Sequence, residues 1–372
     1  MPSRIGSSPS KRRKSRGAAK AISANPFVAL LPTVQREVEA RLRALFDARL
    51  DELARHGPDV AAMAKALFDL CLRGGKRLRP ALLAVGYRAA TRSADLDRAL
   101  DAGVALELLH SYLLVHDDWM DGDVVRRGGP SVHAALTRRF RDAHRGNSAA
   151  ILAGDYAVGL ATEVLSELEL PAGQHGPVFG CFAQMQTDAI IGQGLDIAAA
   201  TRDPEAVYAL KTGSYTVRGP LRLGALLGRA DSKALRALDR FAVPIGIAFQ
   251  LRDDLLSAFG DPATTGKALG NDLRAGKRTP LVQHALKRAR GRELSALKAV
   301  FGRRSASSAQ VRQALAVIES TGAREAVEAR IDELKRTALG ALSEGGRGGS
   351  GITRQGAELL SGAADALTAR RR

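Results

Sequence analysis

Apolar residues recur along this chain at helical intervals and rarely alternate. In TVQREVEARLRALFDARLDEL, Val34, Val38, Leu42, Leu45 and Leu53 fall near a repeat of about 3.6 residues. Thr33 is placed to cap this helix and His56-Gly57-Pro58 to end it. A second helix is predicted over 60–72, GGKRLRP at 74–80 breaks it, and apolar segments resume at Ala81 and again at Asp97. RRGGPS at 126–131 reads as a loop. AAILAGDYAVGLATEVLSEL, the stretch around CFAQMQTDAIIGQGLDIA, the surroundings of YALKTGSY, and ADSKALRALDRFAVPIGIAFQLRDDLLSAF read as helices. Glycine, proline and threonine make 261–280 an irregular connection, and helices are expected again over 281–298 and 308–342.

These periodic stretches exceed the length of ordinary strands, and neither a fixed-period repeat nor a strand-loop-helix phosphate fingerprint is present. The expected fold class is all-α, a large helical bundle. Its expected organisation is a disordered basic arm over 1–24, one helical domain over 25–342, a flexible glycine-rich insertion, SEGGRGGSG, at 343–351, and a terminal helical segment of the same domain over 352–372.

Composition narrows this picture only slightly. With 372 residues, 45% of them hydrophobic and only 4% aromatic, the chain can bury a large core in one domain. Lysine and arginine total 56 against 39 acids, a formal charge of +17. Seven of those cations and no acid lie in residues 1–24, leaving +10 for the rest. Such an arm attracts nucleic acid, anionic membrane or phosphorylated partners alike. No aromatic-interleaved platform or zinc pattern accompanies it, so a nucleic-acid module is disfavoured. Cys71 and Cys181 stand far from each other and from any cysteine-histidine array, as expected of reduced cytosolic thiols. With neither a signal-like apolar segment nor an uninterrupted apolar run of about 20 residues, the expected location is cytoplasmic, with any membrane contact peripheral.

The chemistry lies in two acidic clusters, HDDWMDGD at 116–123 and LRDDLLSAFGD at 251–261. If helix continues through the first, Asp117 and Asp121 stand one turn apart with Asp118 beside them. Asp253 and Asp254 offer the same groups from a second helix. Mutual repulsion of such carboxylates is relieved by divalent ions, and magnesium favours carboxylate and diphosphate oxygens while retaining water. Two convergent clusters would stabilise charge on a departing diphosphate. Lys76, Arg77 and Arg79 in GGKRLRP form a candidate phosphate clamp, and the guanidinium groups of Arg126 and Arg127 suit paired hydrogen bonds to diphosphates. Lys211, Lys267 and Lys277 add positive charge.

The ordered set GGKRLRP at 74–80, ELLHSYLLVHDDWMDGDVVRRGGPSVH at 107–133, GQGLD at 192–196, KTGSY at 211–215 and FQLRDDLLSAFGDPATTGKALGNDLRAGKRTP at 249–280 closely resembles the trans-isoprenyl diphosphate synthases, or polyprenyl synthetases. The resemblance spans most of 27–338. It implies an isoprenoid-synthase bundle around a central elongation cavity, usually a homodimer, that joins isopentenyl diphosphate to an allylic diphosphate (dimethylallyl, geranyl or farnesyl) using Mg2+.

Carried over residue by residue, the resemblance makes Asp117, Asp121 and Asp253 the main metal ligands, supported by Asp118 and Asp254. Lys76, Arg79, His110 and Arg127 are assigned to isopentenyl diphosphate. Arg126, Lys211 and Lys277, helped by Lys267, are assigned to the allylic diphosphate, and Gln193, Thr212, Gln250 and Asp272 to shaping the reacting region. Ser257 departs from the family pattern, which has a further aspartate there. Tyr112, five positions before Asp117, looks like the floor of the elongation cavity in a geranylgeranyl diphosphate synthase, making a C20 product the first expectation. Farnesyl or longer polyprenyl diphosphates are the alternatives. A class I terpene cyclase would lack GGKRLRP and carry an asparagine-serine-glutamate metal motif, and a noncatalytic subunit of a heteromeric synthase would have lost more ligands.

Overall fold

The computed structural model describes residues 25–198, 203–260, 269–346 and 351–369, without the side chains of 344–346. The regular elements among the described residues are all helices apart from one minimal hairpin, matching the expected all-α class. The arm over 1–24, residues 347–350 of the 343–351 insertion and Lys267 lie outside them.

Helix α1 (Pro26–Ala54) starts well before Thr33. Asn25 is the true cap, accepting from the Phe27 and Val28 amides while its own amide donates to Gly362 O at 2.9 Å. Pro32 lies inside this helix and removes one backbone donor. Burial of Phe27 beneath the C-terminal helix holds the extra turns in place. Helix α2 (Pro58–Leu72) and α3 (Leu78–Ala90) flank the GGKRLRP turn, and α4 (Asp97–Asp121) runs through the centre of the molecule, with 14 of its residues buried. The 126–131 loop is a tight antiparallel hairpin of β1 (Val125–Arg126) and β2 (Gly129–Pro130).

Helix α5 (Val132–Phe140) and α6 (Ala143–Ser166) follow, then α7 (His175–Ala198) and the short α8 (Pro204–Tyr208). Among the described residues α6 alone is long and apolar enough to cross a membrane, and it lays Ala150, Ala153, Ala157 and Ala161 into the core beside α4. KTGSY lies within a ten-residue π-helix (Ala209–Arg218) that leads into α9 (Gly219–Leu227). Helix α10 (Ser232–Phe259) carries the second acidic motif. Beyond it come α11 (Asn271–Arg274), α12 (Pro280–Arg288), α13 (Gly291–Lys298), α14 (Ser308–Ser320), α15 (Ala323–Gly346) and α16 (Arg354–Thr368). Each of the two late helical stretches expected from sequence is thus a broken pair, and α15 runs past Ser343 to Gly346.

One hydrophobic core joins α1–α7, the π-helix and α9 with the first half of α10 and with α16; a second joins the rest of α10 to α11–α15. The candidate site residues lie near their junction, at the C-terminal end of α4. Both cysteines are buried free thiols, pushed up to about 12 chiefly by that burial.

Candidate active site

The last turn of α4 carries Asp117, Asp118 and Asp121, at the end where a helix dipole opposes negative charge. Cations from distant elements offset that cost. Lys211 of the π-helix donates to Asp196 of α7 at 2.5 Å and lies 3.7 Å from Asp117 Oδ1. Lys277 stands 3.3 Å from Asp121 Oδ2 and 4.0 Å from Asp272 of α11. Arg304 donates to the Asp121 carbonyl at 2.9 Å. Burial works against the Lys277 ammonium, but Asp272, Asp121, Asp117 and Asp196 outweigh it and raise its pKa above that of ordinary lysine.

Asp117 and Asp121 are half-buried, whereas Asp118 is fully buried, its Oδ1 accepting from Arg126 Nε at 2.7 Å and also from Nη2. Burial raises the Asp118 pKa in spite of Arg126. The same guanidinium lies 3.8 Å from Asp117 and 3.6 Å from Asp123, so it ties the hairpin to the acidic turn. On α10, Asp253 is half-buried and Asp254 is buried, accepting from the Tyr208 hydroxyl and from Gln250 Nε2 at 3.1 Å. Burial, with help from Asp272 and Asp253, pushes Asp254 up to about 8 against those two hydrogen bonds. Ser257 lines a small cavity with Asp254 and Asp272.

The basic side is built on the 73–77 turn, where Gly74 and Gly75 adopt φ of 66° and 122°, conformations that favour glycine. The turn splits its cations. Lys76 is exposed, but Arg77 is not part of a clamp: it is buried, donating to Glu107 at 2.6 Å, Glu39 at 3.2 Å and the Cys71 carbonyl at 2.8 Å. Arg79 is the second residue of α3, and Arg127 donates to Gly74 O and to His110 Nε2, each at 3.2 Å. Burial and the neighbouring Arg79, Arg127, Arg126 and Arg77 hold His110 well below the usual imidazole range. His110 is therefore neutral, with its proton on Nδ1.

Gln193 follows Gly192 on α7, where an added Cβ would strike the Lys211 backbone at 2.4 Å, so α7 and the π-helix approach closely here. Thr212 is half-buried beside Lys211. Tyr112 packs edge-on against His116, ring centroids 4.8 Å apart.

Seven buried side-chain nitrogen or oxygen atoms lack a hydrogen-bond partner among the described residues, and five of them belong here: Arg79 Nε, His110 Nδ1, His116 Nδ1, Asp117 Oδ1 and Asp118 Oδ2. Buried polar groups rarely go unpaired, and such a concentration marks a place built for a polar ligand. Among the described residues no three His, Cys, Asp or Glu side chains form a closed metal cage. Magnesium takes one or two carboxylates and completes its shell with water and phosphate oxygens, so the open pair Asp117 and Asp121, with an orphaned oxygen on the former, fits that ion.

The polyprenyl synthetase family profile matches residues 60–318. The chain belongs to this family. It is therefore a trans-prenyltransferase of isoprenoid-synthase fold. It is 32% identical to the geranylgeranyl diphosphate synthase of Methanosarcina mazei over 323 residues, covering 85% of this chain and 91% of that one. It is 37% identical to the farnesyl diphosphate synthase of Escherichia coli over 222 residues, 56% of this chain and 70% of that one. A geranylgeranyl pyrophosphate synthase from Corynebacterium glutamicum, solved with isoprenyl diphosphate and magnesium, superposes with a TM-score of 0.84 at 36% identity, covering 92% of this chain and 99% of that one.

Three residues that touch the candidate site residues escaped sequence reasoning. Asp196 was visible at the end of GQGLD; its pairing with Lys211 was the missing information. Tyr208 and Arg304 carry no local signal, because each acts through a partner distant in sequence.

Proposed function

We propose that this enzyme joins isopentenyl diphosphate to an allylic diphosphate with Mg2+ and ends at the C20 product, geranylgeranyl diphosphate. The observation that carries the reading is the alternation of Lys211 and Lys277 with Asp117, Asp121, Asp196 and Asp272. Such a pattern sets two ammonium groups among four carboxylates, an acidic set that can rearrange around a metal diphosphate, the carboxylates turning to the metal and the ammonium groups to phosphate oxygens.

Bound magnesium, held by Asp117, Asp121 and Asp253 with Asp118 and Asp254 in support, would neutralise charge on the leaving diphosphate. Lys211, Lys277 and Arg126 hold that diphosphate as the allylic C–O bond breaks and the electron pair leaves with it. Arg79, Arg127, Lys76 and the His110 Nδ1–H hold isopentenyl diphosphate, whose double bond forms the new C–C bond to the allylic carbon. A proton then leaves the isopentenyl unit, restores a double bond and passes to the released diphosphate. Neutral His110 suits recognition and is a poor candidate for the base. Apolar walls of an elongation cavity would exclude water from the electron-deficient carbon.

Tyr112 supports the C20 assignment, because its ring sits one helical turn below the acidic motif and is braced by His116. Likeness to both a geranylgeranyl and a farnesyl synthase keeps farnesyl diphosphate as the second reading. The half-exposed Leu152 of α6 and Ile190 and Ile197 of α7 suit a homodimer contact. Both substrates are water-soluble diphosphates, in keeping with a cytoplasmic site.

Diphosphate release with isopentenyl and geranyl diphosphates, in magnesium and then in chelator, tests the reading. Release that needs magnesium and both substrates supports it, while release from the allylic substrate alone points to a cyclase.

A further inference from the structure

The π-helix over Ala209–Arg218 carries more than Lys211 and Thr212. One turn on, it presents Tyr215 and Thr216 to Arg79 of α3. Arg79 Nη2 donates to Thr216 Oγ1 at 2.8 Å, and its guanidinium lies 4.5 Å from the centroid of the Tyr215 ring. Tyr215 also stands 6.1 Å, ring to ring, from His110. Thr216 is 1% exposed, so its hydroxyl needs a protein partner. Threonine and serine in a helix commonly turn the hydroxyl back to the carbonyl four residues earlier, as Ser214 does to Leu210 at 2.6 Å. Thr216 accepts from an arginine of another element, and Arg79 Nε is left buried and without a partner.

The widened helix makes this arrangement possible. Bonding from i to i+5 stacks residues five apart, such as Lys211 and Thr216, on one side. In an α-helix the same two residues would point about 140° apart. One face of one element therefore addresses the acidic turn of α4 through Lys211 and α3 through Thr216.

We propose that Thr216 is a positioning residue for isopentenyl diphosphate. It occupies one end of the Arg79 fork, the Tyr215 ring supports the guanidinium face, and the remaining N–H groups, Nε among them, are aimed at the substrate's phosphate oxygens. The inference rests on the reading of Arg79 as an isopentenyl diphosphate ligand. A planar fork held at one end loses less freedom when it binds, so the effect falls on affinity for that substrate.

The test is Thr216→Val, which keeps shape and removes the acceptor, with Thr216→Ser as the conservative rescue. The expected result for valine is a rise of about tenfold in KM for isopentenyl diphosphate, with KM for the allylic substrate and the melting temperature unchanged. Serine should restore the parent value. In the Arg79→Lys background, which has already lost the fork, Thr216→Val should add nothing further. Calorimetric titration with isopentenyl diphosphate alone needs no turnover and should show the same weakening. If the parent protein bound isopentenyl diphosphate but condensed nothing, prenyl transfer would fall while this inference stood or fell on the titration. Unchanged affinity in the valine variant, equal loss for both substrates with a lower melting temperature, or additive effects of Arg79→Lys and Thr216→Val would overturn it.

Discussion

Lys277 and Asp121 lie 156 positions apart in the chain and 3.3 Å apart in the fold. That contact closes the second half of the molecule over the acidic turn of α4, and Asp272 on the far side of Lys277 completes it.

Replacing Lys277 with methionine should lower kcat/KM for the allylic substrate by about 10²–10³, the usual effect of removing one preorganised charge from a reacting diphosphate. Steady-state kinetics against geranyl diphosphate would check this, and a change below about threefold would remove Lys277 from the diphosphate site.

Arg77 gives the opposite expectation. It is buried against Glu107 and Glu39, so Arg77→Met leaves a carboxylate buried and unpaired and should cost about 3–5 kcal/mol in denaturant unfolding. Activity per folded molecule should survive at low temperature. Lost activity in a fully folded variant would return Arg77 to the substrate clamp.

His110 makes stability depend on pH. Unfolded, the imidazole titrates near about 6.5; folded, burial and four arginines hold it well below that. Below about 6.5 the unfolded chain takes up a proton that the folded one refuses, so stability falls as pH drops and is unaffected by this group above that range. Between pH 7.5 and 5.5, values taken roughly one unit either side of that midpoint, His110→Asn should lose less stability than the parent. Equal losses in urea titrations would contradict the assignment.

Tyr112→Ala should open the cavity floor and shift products beyond C20, as read by mass spectrometry. An unchanged distribution would show that the floor lies elsewhere.

Much of this was legible beforehand. The spacing of Asp117 and Asp121 alone places two carboxylates on one helical face, and the apolar repeats alone require a bundle. What the chain concealed was tertiary. Arg77 and Arg79 stand two residues apart in one basic turn, and only Glu107, 30 positions away, makes the first structural. Thr33 stood at the head of the apolar repeat as an available cap, whereas docking of Asn25 onto Gly362 starts the helix at Pro26 and carries it through Pro32. The π-helix at KTGSY had no local mark, since its widened turn is settled by α7 and α10 packing on either side.

The most direct test of the central claim is product mass from purified protein given magnesium, isopentenyl diphosphate and, in separate reactions, dimethylallyl, geranyl or farnesyl diphosphate. The account predicts magnesium-dependent C20 diphosphate. Folded protein that condensed none of these starters would contradict it.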